Sequence, residues 1–120
     1  MYRDGRGVDR DLSAALDWFT LAGEQGNIAC IFNIMALTWS GEGKDTERYD
    51  HARSMLERYA EGGSGDAITK LGNIYHDGTI APKDYAKALY WYGRGADIGN
   101  VWCRQRLGEM YRDGRGVDSE

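Results

Sequence analysis

"MYRDGRGVD" occupies residues 1 to 9, and the same nine letters return at residues 110 to 118. Chance recurrence of that length is negligible, so the chain is read first for a repeat, because a fixed period decides the fold class. From residue 1 to residue 110 is a step of 109, close to three steps of 36. Two degenerate copies stand between. "LTWSGEGK" (37 to 44) sets Gly41 and Gly43 on Gly5 and Gly7, and "IYHDGTIA" (74 to 81) sets Tyr75 and Gly78 on Tyr111 and Gly114. The steps Gly5 to Gly41, Gly41 to Gly78 and Gly78 to Gly114 are 36, 37 and 36 residues, the additional residue falling in the loop before Ala52.

The stretches between these loops align as well. "SAALDWFTLAGEQGN" (13 to 27) matches "AKALYWYGRGADIGN" (86 to 100), with Ala15 on Ala88, Trp18 on Trp91, Gly26 on Gly99 and Asn27 on Asn100. "DHARSMLERYAEGGS" (50 to 64) follows more loosely, with Ala52, Met55 and Gly63 at the alanine, tryptophan and glycine positions. Each unit reads as two helices. The first, helix B, is expected over about 11–25, 46–62 and 84–98, where apolar residues such as Ala15, Trp18, Phe19 and Ala22 fall at helical spacing. Asp11 and Asp84 stand where an N-cap is wanted. The second, helix A, is expected over about 27–39, 64–76 and 100–112. Gly26, Gly63 and Gly99 break the chain before it, and Asn27, Ser64 and Asn100 are placed to cap it.

Leu-Gly-x-x-Tyr-x-x-Gly-x-Gly-Val, followed by Ala-x-x-Trp-Tyr and then Gly-Asn, resembles the Sel1-like repeat, a relative of the tetratricopeptide repeat. "LGEMYRDGRGV" (107 to 117), "LGNIYHDG" (71 to 78) and "ALYWYGRGADIGN" (88 to 100) carry the resemblance. A tetratricopeptide unit has a period near 34 and no Gly-x-Gly loop. "NIACIFNIMALTWSG" departs from the pattern, with Met35 in place of glycine and Thr38 in place of tyrosine. The resemblance implies an all-α fold: a right-handed α-solenoid of antiparallel helix pairs, with A helices lining a concave surface and B helices outside. The whole chain, 1–120, then reads as a single solenoid domain of about three repeats, at about 5–40, 41–77 and 78–113. It starts and stops at the tail of an A helix, as a window of a longer array would, and neither end offers the polar capping repeat that arrays use.

Composition narrows the function. Of 120 residues, 42% are hydrophobic and 12% aromatic, enough for a core and against disorder. Seventeen glycines stand against one proline, Pro82, as many turns of positive φ require. The net charge of −4 is spread along the chain, with no basic stripe, so no nucleic-acid partner is expected. No apolar run approaches the roughly 18 to 20 residues of a membrane helix, and no apolar leader follows Met1, so no membrane partner is expected either. Two sparse cysteines, Cys30 and Cys103, imply no disulfide framework and lean toward a cytoplasmic setting. Both fall at the small-residue position that Ala67 holds in the middle A helix, so they read as packing residues.

No catalytic constellation, metal site or cofactor site emerges. His51 and His76 are in different units, with no nucleophile placed beside either. "GRGVD" has no strand before it and no Gly-Lys-Ser/Thr after it, so it reads as a turn and not as a phosphate loop. Trp18 with Phe19, and Trp91 with Tyr92, recur at the repeat period and are expected in the core.

The A helices differ on one face. Ile34, Leu71 and Leu107, with Leu37, Ile74 and Met110, are expected to face the core. Opposite them the middle helix has Asp66, Thr69, Asn73 and His76, and the last has Trp102, Gln105, Glu109 and Arg112; the first has Ala29, Phe32, Ala36 and Trp39. Phe32, Ala36 and Trp39, spaced by four and three, form an apolar stripe where the sibling helices are polar, and Trp102 is placed to extend it. These four residues are the partner-binding candidates. The stripe has three readings: a groove for a protein or peptide partner, a face awaiting a missing repeat or another copy, or core in a shifted helix phase. The function expected is a non-enzymatic interaction scaffold or adaptor binding a peptide or protein on its concave A-helix face. The alternative is a structural array whose chains self-associate end to end through exposed solenoid ends.

Overall fold

The computed structural model describes residues 11 to 116. Among them are six α-helices and no strand: α1 (Leu12–Glu24), α2 (Ile28–Thr38), α3 (Thr46–Glu61), α4 (Gly65–Asp77), α5 (Tyr85–Asp97) and α6 (Val101–Asp113). Helices α1, α3 and α5 are the expected B helices, and α2, α4 and α6 the expected A helices. The first nonapeptide, with Gly5 and Gly7, lies outside the described residues. The chain divides into two compact units, Met1–Ala52 and Arg53–Glu120, the boundary falling inside α3.

One turn is used three times to join B to A. At the end of α3 the Gly63 amide donates to the Ala60 carbonyl and the Ser64 amide to the Tyr59 carbonyl, the two bonds of a Schellman turn. This needs a left-handed residue between, and Gly63 supplies it at φ 100°. Gly26 with Asn27, and Gly99 with Asn100, repeat the pattern through Ala22 and Gly95. The residue that closes one helix also opens the next. Asn27, Ser64 and Asn100 accept the amides of Cys30, Ala67 and Cys103 through their side chains, so each does both tasks within one residue.

The B helices are capped similarly by Asp11, Asp45 and Asp84. Asp45 holds a further role in the first unit, since Arg48 bridges it and Asp17 and so fixes the start of α3 beside α1.

In the first unit α1 packs on α2, and Leu16, Ile31, Ile34 and Met35 are buried. In the second unit α4 packs on α5 and α5 on α6. Small residues let these helices approach. A Cβ on Gly72 would stand 2.5 Å from the Tyr92 ring, and one on Gly95 would overlap the Cys103 sulfur. Tyr92 and Cys103 are both fully buried. The packing role expected of Cys103 is thus observed, against a glycine.

Two core expectations fail. Trp91 and Tyr92 are buried, but Trp18 is 71% exposed. Trp91 lies beside Ser54, Glu57, Arg58 and Glu61 of the preceding B helix, whereas no helix precedes α1 among the described residues. Leu37 is also exposed, while Ile74 at the same repeat position is buried. The loop after α4 buries Ile80 and Ala81; the loop after α2 has Gly43 and Lys44 in those positions, leaving less apolar cover.

Gly72 and Gly108 share a repeat position but not an environment: nothing lies within 4 Å of a Cβ at Gly108. Gly72→Ala is expected to cost about 1–3 kcal/mol by overpacking Tyr92. Gly108→Ala should stabilise by about 0.5–1 kcal/mol through helix propensity alone. Urea midpoints in dilute solution check both, and equal shifts would contradict the packing described.

Candidate functional site

Phe32, Ala36 and Trp39 begin on one face because α2 is regular through Thr38 and Trp39 keeps helical angles, φ −67° and ψ −44°. Phe32 and Trp39 are half-buried and Ala36 is exposed. Ser40 then turns extended, and a 3-10 turn over Gly41–Gly43 reverses the chain. The Asp45 amide donates to the Thr38 carbonyl at 3.0 Å, closing the loop. This reversal sets the first turn of α3 against the end of α2. The Trp39 and Tyr49 rings meet with centroids 5.1 Å apart at a tilt of 42°.

Beside this aromatic corner opens a cleft of about 370 Å3, lined by Thr38, Trp39, Lys44, Thr46, Tyr49 and Asp50. Its chemistry is mixed. Two rings give an apolar wall, Lys44 and Asp50 bring opposite charges, and Thr46 brings a hydroxyl. The Thr38 hydroxyl donates to the Ile34 carbonyl at 2.6 Å, which lets a polar residue occupy a buried position.

Trp102 lies in the second unit, in the first turn of α6, and is 45% exposed. It is not bare. The Arg106 guanidinium, one turn later, stands 5.5 Å from its ring centroid and 5.8 Å from that of Tyr92. Arg106 also donates to Glu109 at 3.0 Å. Buried Tyr92 donates its hydroxyl proton to Asn73 Oδ1 and accepts from Arg106 Nε at 3.5 Å.

His76 sits between two guanidiniums. Arg106 Nη2 is 2.9 Å from Nδ1 and Arg115 Nη1 is 3.0 Å from Nε2, while Asp77 Oδ1 also lies 2.9 Å from Nδ1. A neutral imidazole has one lone pair, so it accepts from one arginine at a time. With the proton on Nδ1 and donated to Asp77, Nε2 accepts from Arg115; with the proton on Nε2, Nδ1 accepts from Arg106.

Asn73, His76 and Glu109 were expected as separate polar residues on the A-helix face, and the structure joins them through Arg106 and Tyr92. Sequence reasoning missed Arg106, Arg115 and Tyr49. The spacing of Arg106 to Trp102 and Glu109, four and three residues, is a helix-face signal for the first. No local spacing marks Tyr49, which meets Trp39 only through the loop. His51 is exposed at the side of α3, 3.8 Å from Glu24. Both cysteines are free thiols, and burial pushes the Cys103 thiol up, opposed by a contact with the Thr69 hydroxyl. Among the described residues no group of three or more His, Cys, Asp or Glu is arranged to hold a metal, and no helix is long and apolar enough to cross a membrane.

Tandem helix hairpins joined by one recurring Schellman turn define an all-α helical-repeat protein of the solenoid class. The chain belongs to the Sel1 repeat family, whose model matches residues 1–27, 65–100 and 104–119. Residues 28 to 64, which include Met35 and Thr38, lie outside those matches.

The chain is 34% identical over 68 residues to the ERAD-associated E3 ubiquitin-protein ligase component HRD3A of Arabidopsis thaliana, covering 56% of this chain and 10% of the relative. It is 30% identical over 73 residues to HRD3B of the same plant, covering 61% and 12%. Among solved structures, a Sel1 repeat protein from Oxalobacter formigenes aligns with a TM-score of 0.59 and 34% identity, over 98% of this chain and 47% of that one. The protective antigen c5321 of uropathogenic Escherichia coli, which displays an SLR fold, aligns at 0.61 with 30% identity, over 97% and 25%. The chain thus spans about a tenth of the curated relatives it matches. Sel1 repeat proteins often serve as scaffolds for protein interaction.

Burial raises the Tyr92 ionisation above its usual 10.0, with Arg106 opposing the rise. A group whose folded ionisation is raised contributes stability that is complete below the unfolded value and is lost as pH climbs through the folded one. Tyr92→Phe should therefore cost about 1 kcal/mol at neutral pH, by removing the bond to Asn73. It should also flatten the loss of stability above pH 10.0. Urea titrations at neutral pH and above pH 10.0 check both.

Proposed function

We propose that the chain is a non-enzymatic scaffold that holds a peptide segment of a protein partner on its concave A-helix face, with the aromatic cleft at Trp39 and Tyr49 as anchor point. The observation that carries the reading is that cleft: two rings 5.1 Å apart beside about 370 Å3 of open space, with Lys44 at its rim. A buried aromatic or large aliphatic side chain is the occupant such a corner suits, and an acidic neighbour on the peptide would meet Lys44. Phe32 and Ala36 would extend the contact along α2, while Trp102, with Arg106 over its ring, is a separate candidate within the second unit. Family membership supports the class of function, and the two plant relatives carry names of components of a larger ligase.

The test is selection from a random peptide display library on the wild-type protein, with fluorescence anisotropy on the enriched sequences. Enriched peptides should share a large apolar residue next to an acidic one. Trp39→Ala should weaken their binding about tenfold or more while helix content by circular dichroism is unchanged. Peptides bound equally by Trp39→Ala would overturn the assignment of the anchor.

A further inference from the structure

The Trp39–Tyr49 corner has a counterpart one repeat later. His76 and Tyr85 stand at the same repeat positions, with ring centroids 5.5 Å apart at a tilt of 48°, against 5.1 Å and 42° in the first unit. The two corners have nearly one geometry, but different residues hold them. At His76 the holders are Arg106 and Arg115, whose guanidiniums stand at the two ring nitrogens and fill the corner. At Trp39 the corner is open to a cleft, so its geometry is held from elsewhere.

The connecting loop is a weak holder, since its 3-10 turn begins and ends on glycine, the residue with the widest backbone freedom. A chain of polar contacts that starts on α1 does more. Arg48 Nη2 lies 3.0 Å from Asp17 Oδ1, and Arg48 Nε lies 3.3 Å from Asp45 Oδ2. The other oxygen of Asp45 accepts the Arg48 amide at 3.1 Å, and the Asp45 amide donates to the Thr38 carbonyl at 3.0 Å. Each ring of the corner adjoins a member of this chain, because Trp39 follows Thr38 and Tyr49 follows Arg48. Yet Asp17, Asp45 and Arg48 do not line the cleft. The second unit lacks the tie: Tyr90 stands at the position of Asp17, and Asp84, itself an N-cap, at that of Arg48. Among the described residues the pair thus occurs at the open corner and not at the filled one.

We infer that Arg48, held by Asp17 of α1 and by Asp45, is a positioning residue that sets Tyr49 against Trp39 and keeps the cleft formed before a partner arrives. The inference rests on the reading of that cleft as the anchor point. It makes α1 a part of the site although α1 contributes nothing to the lining. A cleft formed in advance relieves an incoming peptide of the cost of ordering it.

The experiment compares Asp17→Asn, Arg48→Lys and Arg48→Met in the full chain by two readouts. The first needs no ligand: the NMR resonance of the Trp39 indole, assigned with Trp39→Phe, and its cross-relaxation with the Tyr49 ring. The second is the affinity of the display-selected peptide by fluorescence anisotropy. Asn has the shape of Asp, and the Asp17 side chain is 65% exposed, so Asp17→Asn retains the fold. It should shift the Trp39 resonance. Arg48→Met should shift it further in the same direction and weaken the cross-relaxation, with Arg48→Lys between the two. Adding Asp17→Asn to Arg48→Met should change nothing more, because both remove one contact. Peptide affinity should fall about twofold in Asp17→Asn and about fivefold in Arg48→Met, the range of exposed ion pairs. A Trp39 resonance that neither Asp17→Asn nor Arg48→Met moves overturns the inference, whatever the peptides do. So does an additive response of the double variant, since Asp17 would then act by another route. If the resonance moves as expected while no peptide binds at Trp39, the positioning stands and the anchor reading alone falls.

Discussion

Tyr92 lies against bare backbone at Gly72, and the second unit is arranged around that contact. The ring can come so close only because α4 has no side chain there. Its depth then takes the hydroxyl out of water, where an unpaired phenol is costly. Asn73, the next residue along α4, accepts the hydroxyl proton, and Arg106 of α6 donates to the same oxygen. Through Arg106 the contact reaches Trp102, Glu109 and His76, so a packing decision between two helices sets the polar order of a third.

Turns and caps were legible because their causes are local. A Schellman turn needs a left-handed residue followed by an amide two positions past the helix, and an N-cap needs a short polar side chain. Gly63 with Ser64 and Gly99 with Asn100 meet both requirements within two letters. Burial was less legible, because it belongs to the neighbour and not to the residue. Trp18 and Trp91 are the same letter in the same register, and one is exposed and the other buried because only Trp91 has a B helix before it among the described residues. Leu37 fails for a related reason, the loop beyond its helix having Gly43 and Lys44 where the next has Ile80 and Ala81.

The candidate site divides along the same line. That Phe32, Ala36 and Trp39 share a face follows from spacing alone. That Trp39 finds Tyr49 depends on a 3-10 turn and on the Asp45 amide reaching back to Thr38, which no periodicity encodes. In the second unit the equivalent face is closed by charge. Asn73, His76 and Glu109 spend much of their hydrogen-bonding capacity on Tyr92, Arg106 and Arg115, which rigidifies that face and leaves fewer groups to address a ligand. An open aromatic cleft in one repeat and a satisfied polar network in the other are two outcomes of one template.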